Sequence, residues 1–311
     1  MGMKRALVLS GGGSKGAFEV GALEYLLIEE KLDFQIFIGT SVGALNAAFL
    51  GQACNREELV DLAQELKALW LGLKGNNSIY ESGFLGRVLR FLFRDSLYNP
   101  SGLRDLIKIK IDLERLFHPA TVVKVTAVAL ESGDLFCADS RNRKLREDFL
   151  SYILASASMP LFFPAVPIAG KHWYDGGLRD VTPLAAAVQE KPDEIVVITT
   201  FPLSPGLQAI MPSVKPGGAV KAILRTIEIL VSEIAVNDLQ LAQALNKSWW
   251  KFPDKHPIPI RIIAPKNNLA GDALDFSPLG IRENMRSGYE AARHPRLLAV
   301  NTSVPKSALQ Y

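Results

Sequence analysis

The sequence predicts an α/β fold built on a parallel, doubly wound sheet, and three observations lead to this prediction. Apolar runs that fit buried strands alternate with segments of helical periodicity. Glycine-rich turns follow the first two of these strands, at residues 11–16 and 39–43. The chain has 311 residues, 48% hydrophobic and 22% charged, which fits a globular protein with a large core. No linker composition divides it, so we predict one domain over residues 1–311.

The first third of the chain carries the clearest elements. Strands are predicted at residues 5–10 and 34–38, and each leads through its glycine turn into a helix, the first of them over 17–30. A further helix is predicted over 56–70. Residues 72–78 then open a less regular segment that extends to about residue 120.

The rest of the chain predicts more strands and helices in alternation. A hairpin is expected around Ser132-Gly133, and a helix over 144–158 that is stopped by Met159-Pro160. A helix should follow Thr182-Pro183. The remaining predicted elements are a core strand at 194–200, a long amphipathic helix at 217–247, a last strand at 258–265 and a last helix at 277–293.

Composition excludes several classes of function. The formal charge of +3 comes without the Lys/Arg clusters of a nucleic-acid-binding protein. Cys54 and Cys137 are far apart, so neither a disulfide scaffold nor a zinc site is expected, and we expect no metal or organic cofactor. The N-terminal apolar stretch is too short for a secretion signal, and no apolar run reaches transmembrane length without a charge. We therefore expect a cytoplasmic location, which allows peripheral contact with membranes.

A serine lies at the turn between the second strand and its helix. The turn reads Gly39-Thr40-Ser41-Val42-Gly43. Gly-x-Ser-x-Gly at such a position is the spacing of a nucleophile elbow, where a strained turn holds the serine oxygen outward. Ser41 is therefore the candidate nucleophile.

The glycine turn at residues 11–16 is compatible with two functions. Its Gly-x-Gly-x-x-Gly spacing is that of an NAD(P)-type dinucleotide-binding module. That function needs an acidic residue at the end of the second strand, whereas Asp33 precedes this strand. The other function is an oxyanion hole formed by the backbone amides of Gly11, Gly12 and Gly13. In a parallel sheet both turns leave the same edge, which would bring these amides close to Ser41.

A serine hydroxyl needs a base to become a nucleophile. Three of the four histidines directly precede proline, which is typical of turns, and only His172 is close to other candidate residues. Asp175 follows shortly and precedes Gly176-Gly177, whose lack of side chains allows another loop to approach closely. From the residues, two arrangements remain: a dyad of Ser41 and Asp175, or a triad that contains His172.

These residues resemble the ordered blocks of the patatin-like phospholipases, lipid acyl hydrolases with a Ser-Asp dyad. The resemblance spans residues 5–185 and includes the turns at 11–16 and 39–43, the small-residue block at 155–160 and Asp175-Gly176-Gly177. It implies a three-layer α/β/α fold with a mostly parallel sheet. It also implies Ser41 as nucleophile, Asp175 as base and the amides of Gly11, Gly12 and Gly13 as oxyanion donors. The expected substrates are esters of phospholipids or related glycerolipids, with a lysophospholipase or general esterase as the alternative.

Two further patterns suggest contact with lipid. Residues 84–94 place arginines on one helical face and leucines on the other, and Trp249-Trp250 follows the long helix. The first pattern is equally typical of an ordinary surface helix, and an aromatic pair such as the second is more often part of the core or a packing cap. We expect residues 200–311 to complete the sheet, and the walls or lid of the substrate pocket to come from residues 70–120 and 200–250.

Overall fold

In the computed structural model, most of the chain is described, including every residue proposed above for the active site. The described residues are 3–80, 96–118, 120–213, 215, 218–247 and 257–298. The arginine–leucine pattern at 84–94 and Trp249-Trp250 lie outside these ranges, so the two lipid-contact predictions stay predictions. Among the described helices, none combines the length and the apolar character needed to cross a bilayer.

A sheet of nine strands runs through the described part of the protein. Its order is β5-β6-β3-β2-β1-β7-β8-β9, and β4 pairs with β3. The strands are β1 (Arg5–Leu9), β2 (Ile36–Gly39), β3 (Val122–Ala129), β4 (Leu135–Asp139), β5 (Val166–Ile168), β6 (Lys171–Asp175), β7 (Glu194–Ile198), β8 (Ile260–Ile263) and β9 (Arg296–Leu298). The five central strands, in the order β3-β2-β1-β7-β8, are parallel to one another. The outer strands β4, β5, β6 and β9 pair antiparallel.

Helices cover both faces of this sheet. They are α1 (Gly16–Glu24), which continues into a π-helical turn at Tyr25–Glu29, α2 (Val42–Leu50), α3 (Arg56–Leu71), α4 (Ser101–Lys110), α5 (Leu113–Leu116), α6 (Phe149–Ser156), α7 (Leu184–Gln189), α8 (Ala219–Lys247) and α9 (Pro278–Ala292). Along β1, Leu7 and Leu9 pack against α1 and α2, whereas Ala6 and Val8 face α7 and α8. This alternation is the period of a strand buried on both faces. The predicted three-layer α/β/α fold is confirmed.

Three predictions made for individual elements need correction. Residues 70–120 are more regular than expected, because α4 and α5 lie within them. The helix predicted from 144 begins only at Phe149, since residues 143–145 form a 3-10 turn capped by the Asn142 side chain. β8 is not the last strand, because the short edge strand β9 follows α9.

The backbones of α1 and α9 touch where the two helices cross. A Cβ atom added to Gly21 would lie 1.8 Å from the Met285 carbonyl oxygen, and one added to Gly288 would lie 1.9 Å from the Phe18 carbonyl oxygen. Glycine is required at both positions because no side chain fits between the helices. The C-terminal helix is thereby held directly against the helix that follows the first glycine turn.

We expect Gly21→Ala to destabilise the protein. The added methyl group must push α9 away, which costs about 1–3 kcal/mol and outweighs the roughly 1 kcal/mol gained from helix propensity. Urea unfolding of Gly21→Ala and wild type measures the difference. Gly206→Ala is the control, since its Cβ would lie 3.9 Å from the nearest atom, Ser204 Oγ. Equal midpoints for Gly21→Ala and wild type would contradict the close crossing.

Candidate active site

Ser41 lies at a strained turn between β2 and α2. Its backbone has φ 57° and ψ −127°, a conformation that is rare for a residue with a side chain. The turn is possible because its neighbours lack side chains: a Cβ on Gly39 would lie 2.2 Å from the Gly43 carbonyl oxygen, and one on Gly43 would lie 2.3 Å from the Leu9 carbonyl oxygen. The predicted elbow geometry is therefore present at residues 39–43.

The side chain of a second serine, Ser156, contacts the backbone of the elbow. The Ser41 amide donates a 3.0 Å hydrogen bond to Ser156 Oγ at the end of α6, and Ser156 is fully buried. This polar contact holds the strained backbone in place.

The pairing of β3 brings Asp175 to the same place as Ser41. β4 occupies one edge of β3 along residues 124–128, so β2 and β6 must share the other edge. On that edge, β2 ends with Gly39 opposite Val125, and β6 ends with Asp175 opposite Ala127. Strand β2 runs along this edge of β3 from one end, and β6 runs along it from the opposite end. Their ends therefore meet where the chain turns into Ser41.

The carboxyl group of Asp175 is fully buried and has few partners. Its Oδ1 accepts a 2.7 Å hydrogen bond from the Gly177 amide, whereas Oδ2 has no hydrogen-bond partner in the described part of the chain. Burial raises the pKa of Asp175 to about 7, against the lowering effects of the Gly177 amide and the Ser41 hydroxyl. The carboxyl thus lies close enough to interact with Ser41 and titrates near neutral pH.

The glycine turn lies beside the elbow, but its three amides differ. A Cβ on Gly11 would lie 3.2 Å from the Ser41 Cβ. The Gly11 amide already donates a 3.1 Å hydrogen bond to the Val181 carbonyl oxygen. Within the described residues, the amides of Gly12 and Gly13 have no acceptor. Two of the three amides of the turn are therefore free of an acceptor in the described part of the chain.

A loop from the C-terminal part of the chain holds the glycine turn. Ser14 donates two 2.8 Å hydrogen bonds, from its amide to the Ala273 carbonyl oxygen and from Oγ to the Asp272 carbonyl oxygen. Gly13 has φ +59°, and a Cβ there would lie 2.0 Å from the Ala273 oxygen. Residues 270–276, the loop that contains Asp272 and Ala273, therefore hold the glycine turn in place.

An apolar cavity of about 170 Å³ opens beside Ser41. Its described walls come from α2, α3, α4 and the 270–276 loop. They are lined by Gly13, Ser41, Val42, Leu45, Asn46, Phe49, Leu66, Leu69, Trp70, Leu73, Ile79, Leu103, Leu106, Ile107, Lys110, Ile111, Ala157, Phe163, Ala273, Leu274 and Phe276. The wall predicted from 70–120 is present. No described lining residue comes from 200–250, and the 270–276 loop takes that place.

Most polar groups in this lining are already engaged. Trp70 Nε1 donates to Asn46 Oδ1 at 3.2 Å, and Lys110 Nζ lies 2.9 Å from Glu65 Oε1. Among the described lining side chains, the Ser41 hydroxyl is the polar group that remains in an otherwise apolar space. Such a cavity suits a hydrocarbon chain.

The other candidate residues lie away from this cavity. His172 is largely exposed on β6, and its Nδ1 lies 2.8 Å from Glu131 Oε1, so it forms a surface pair. Asp33 accepts a hydrogen bond from Gln35 before β2 begins, at the edge of the sheet opposite the glycine turn. Neither the triad nor the ribose contact of a dinucleotide site is assembled. The described residues contain no group of three or more potential metal ligands.

Sequence reasoning missed two contributors to the site, namely Asn46 and the 270–276 loop. Asn46 is a buried polar residue in the apolar stretch of α2, and Leu274 and Phe276 lie in a segment without periodicity. The isolated polar residue of α2 was a detectable signal. The loop was not, because its two apolar side chains acquire their role only through tertiary packing.

Comparison with known proteins places this chain in a family. The sequence model of the family described as Patatin-like phospholipase matches residues 7–188, more than half of the chain. The chain belongs to the patatin-like phospholipase family. This is a family of lipid hydrolases, and Ser41, Asp175 and the glycine turn all lie within the patatin-like match.

The patatin-like chain also matches individual proteins. It is 26% identical over 215 residues to the uncharacterised protein YjjU of Escherichia coli (strain K12), an alignment that covers 63% of this chain and 52% of YjjU. It therefore spans about half the length of this curated relative. The crystal structure of VipD from Legionella pneumophila aligns with a TM-score of 0.47 and 12% identity, over 95% of this chain and 68% of VipD. The type III effector protein ExoU aligns with a TM-score of 0.36 and 14% identity, over 93% of this chain and 52% of ExoU.

We expect Asp175→Asn to change how stability depends on pH. Unfolded Asp175 loses its proton near pH 3.8, but the folded pKa is about 7. Between these values the unfolded state binds fewer protons than the folded state, so wild type loses stability as pH rises, by a few kcal/mol in total. Asparagine does not titrate and lacks this loss.

Urea unfolding of both proteins at about pH 4, 6 and 8 measures the effect. The free energy of unfolding of Asp175→Asn, minus that of wild type, should increase with pH and level off above about pH 7. A difference that is constant over this range would show that Asp175 is not desolvated as described.

Proposed function

We propose that this chain is a serine ester hydrolase that cleaves carboxylic esters of phospholipids or related glycerolipids through an acyl intermediate on Ser41. The observation that carries the proposal is one arrangement of groups. The strained Ser41 lines an apolar cavity together with Gly13, the buried carboxyl of Asp175 interacts with Ser41, and the unbonded amides of Gly12 and Gly13 belong to the turn beside Ser41. Family membership supports the reaction class, and this geometry supports the roles of the residues.

In the proposed first step, Asp175 acts as the general base. Ionised Asp175 takes the proton of the Ser41 hydroxyl at its unpartnered Oδ2 while Oγ attacks the ester carbonyl carbon. A base is most effective when its pKa lies near the working pH, and burial raises the pKa of Asp175 to about 7. The Gly177 amide holds Oδ1, so the carboxyl keeps its orientation during the transfer.

The attack places a negative charge on the carbonyl oxygen, and the glycine turn would stabilise it. We assign the amides of Gly12 and Gly13 as donors, since the Gly11 amide is bonded to Val181 and fixes the backbone instead. Helix α1 begins directly after the turn, so the positive end of its dipole reinforces both donors. This narrows the three predicted oxyanion glycines to two donors and one structural residue.

Collapse of the tetrahedral intermediate expels the alcohol, which receives the proton held by Asp175. The acyl group remains on Ser41 Oγ with its hydrocarbon chain in the cavity. Asp175 then removes a proton from water, the resulting hydroxide attacks the acyl carbon, and the proton returns to Ser41 as the fatty acid leaves. The cavity has few free polar groups, so it selects for the acyl chain and leaves a head group outside.

The proposal predicts that both dyad residues are needed. Ser41→Ala and Asp175→Asn should each lower fatty-acid release from phospholipid vesicles by about a thousandfold or more, since each removes a group of the proposed chemistry. Ser140→Ala is the matched control, because Ser140 is a buried serine that accepts a hydrogen bond from the Val123 amide and lies outside the cavity lining. Thermal unfolding confirms that each variant is folded. Retention of full activity by folded Ser41→Ala would exclude the proposed nucleophile.

The cavity should set the preferred chain length. Leu106→Trp fills space in the cavity from α4, so kcat/KM should fall about tenfold or more for long acyl chains and change little for short ones. Ile109→Trp on the same helix is the control, because Ile109 is 75% exposed. Initial rates on a series of p-nitrophenyl esters measure the effect. Parallel chain-length profiles for the two variants would mean that the acyl chain binds elsewhere.

A further inference from the structure

One acidic side chain lies in the core behind the active site. Glu19 is completely buried on α1, and most of its neighbours on that helix are apolar. Glutamate is rarely buried without a charged partner, and no ion pair involves Glu19 among the described residues. Glu19 lies one helical turn after the glycine-rich segment at 11–16, so its contacts bear on the position of that segment.

Glu19 connects three helices through Asn46. Asn46 Nδ2 donates a 2.8 Å hydrogen bond to Glu19 Oε2, and Asn46 Oδ1 accepts one of 3.2 Å from Trp70 Nε1. These residues belong to α1, α2 and α3, and Asn46 and Trp70 both line the cavity. Asn46 Nδ2 also makes a longer contact of 3.5 Å with the Gly16 carbonyl oxygen. The network therefore reaches the last residue of the glycine turn.

The same two helices carry the two proposed reactive loops. α1 follows the glycine turn and α2 follows Ser41. At their first residues they are in direct contact, because a Cβ on Gly16 would lie 2.5 Å from Val42 Cγ2. Any shift of α1 along α2 would move the amides of Gly12 and Gly13 relative to Ser41. The Glu19–Asn46 bond opposes such a shift one turn further along.

Stability alone does not account for an acid at this position. Among the described residues, Glu19 Oε1 has no hydrogen-bond partner, and a buried polar atom without a partner is unfavourable. Desolvation by burial raises the pKa of Glu19 well above its usual range, against the lowering effects of Asn46 and the Ser10 amide. Burial therefore disfavours a negative charge on Glu19 behind the glycine turn.

We propose that Glu19 and Asn46 are positioning residues, which fix the glycine turn against Ser41 and connect both to the cavity wall at Trp70. The inference rests on the proposed hydrolase function, because it assigns these residues to alignment of the oxyanion donors. Without this bond, the donors would be less well placed for the charge that forms in the transition state. The cost then appears in kcat rather than in substrate binding.

The test compares Glu19→Gln, Glu19→Leu, Asn46→Leu and the double leucine variant with wild type on a short soluble ester. Gln keeps an acceptor for Asn46 and should retain kcat within about threefold. Each leucine variant should lower kcat by about tenfold or more, with KM changed by less than about twofold. The double variant should lose about as much as one single variant, not the product of both, because both changes remove the same bond.

Thr121→Val controls for a merely structural effect. Thr121 Oγ1 donates one buried hydrogen bond of 2.6 Å to the Gly51 carbonyl oxygen, beyond the C-terminal end of α2 and outside the cavity lining. It should lower the melting temperature and leave kcat unchanged. If Glu19→Leu does not fold, Asn46→Leu and Glu19→Gln still decide the question. Equal kcat values for the folded leucine variants and Thr121→Val would overturn the proposal.

Amide hydrogen exchange separates this inference from the proposed function. Peptides covering residues 11–16 should exchange slowly in wild type and Glu19→Gln, and at least about tenfold faster in the leucine variants. If wild type hydrolyses no ester, the proposed function falls. Unchanged exchange in the leucine variants would then overturn the positioning role as well, whereas faster exchange would leave it standing as a role in loop order.

Discussion

The proposed active site depends on the desolvation of one carboxyl group. The Asp175 carboxyl has no exposed surface, and among the described residues Oδ1 accepts a hydrogen bond from the Gly177 amide while Oδ2 has no partner. In the proposed role of general base, this carboxylate would be weakened by solvation, and its burial keeps water away while leaving one oxygen free. It does so by ending β6 on the edge of β3 that β2 has just left. The sheet thereby supplies burial and proximity to Ser41 through the same pairing.

The two halves of the chain contribute differently to the site. The part before residue 190 supplies the proposed reactive groups and most of the described cavity lining, and the 270–276 loop supplies hydrogen bonds to Ser14 in the glycine turn. α9, which follows that loop in the chain, lies directly on α1 because Gly21 and Gly288 carry no side chains. The C-terminal segment is thus part of the site, although it lies outside the matched family region of residues 7–188.

Much of this could be predicted because it is encoded locally. β1 and β2 are continuous apolar runs followed by glycine turns, and the spacing around Ser41 specifies a strained elbow without reference to other residues. The acceptor of the Gly11 amide could not be predicted, since it is Val181, far along the chain. Likewise Asn46 reads as an isolated polar residue until α1 and α3 bring Glu19 and Trp70 against it. What remained unpredicted is the pairing of distant segments, which a one-dimensional pattern does not encode.

The contact between Ser14 and the 270–276 loop also affects the order in which the protein matures. Ser14 Oγ bonds to an oxygen 258 positions later in the sequence, so closing this contact is among the most non-local events of folding. A chain emerging during synthesis presents Ser41 and Asp175 long before that loop exists. Until then the glycine turn lacks the hydrogen bonds between Ser14 and this loop, and the cavity lacks the wall that the loop forms. The glycine turn and the cavity beside Ser41 are therefore complete only after the C-terminal part of the chain has been synthesised.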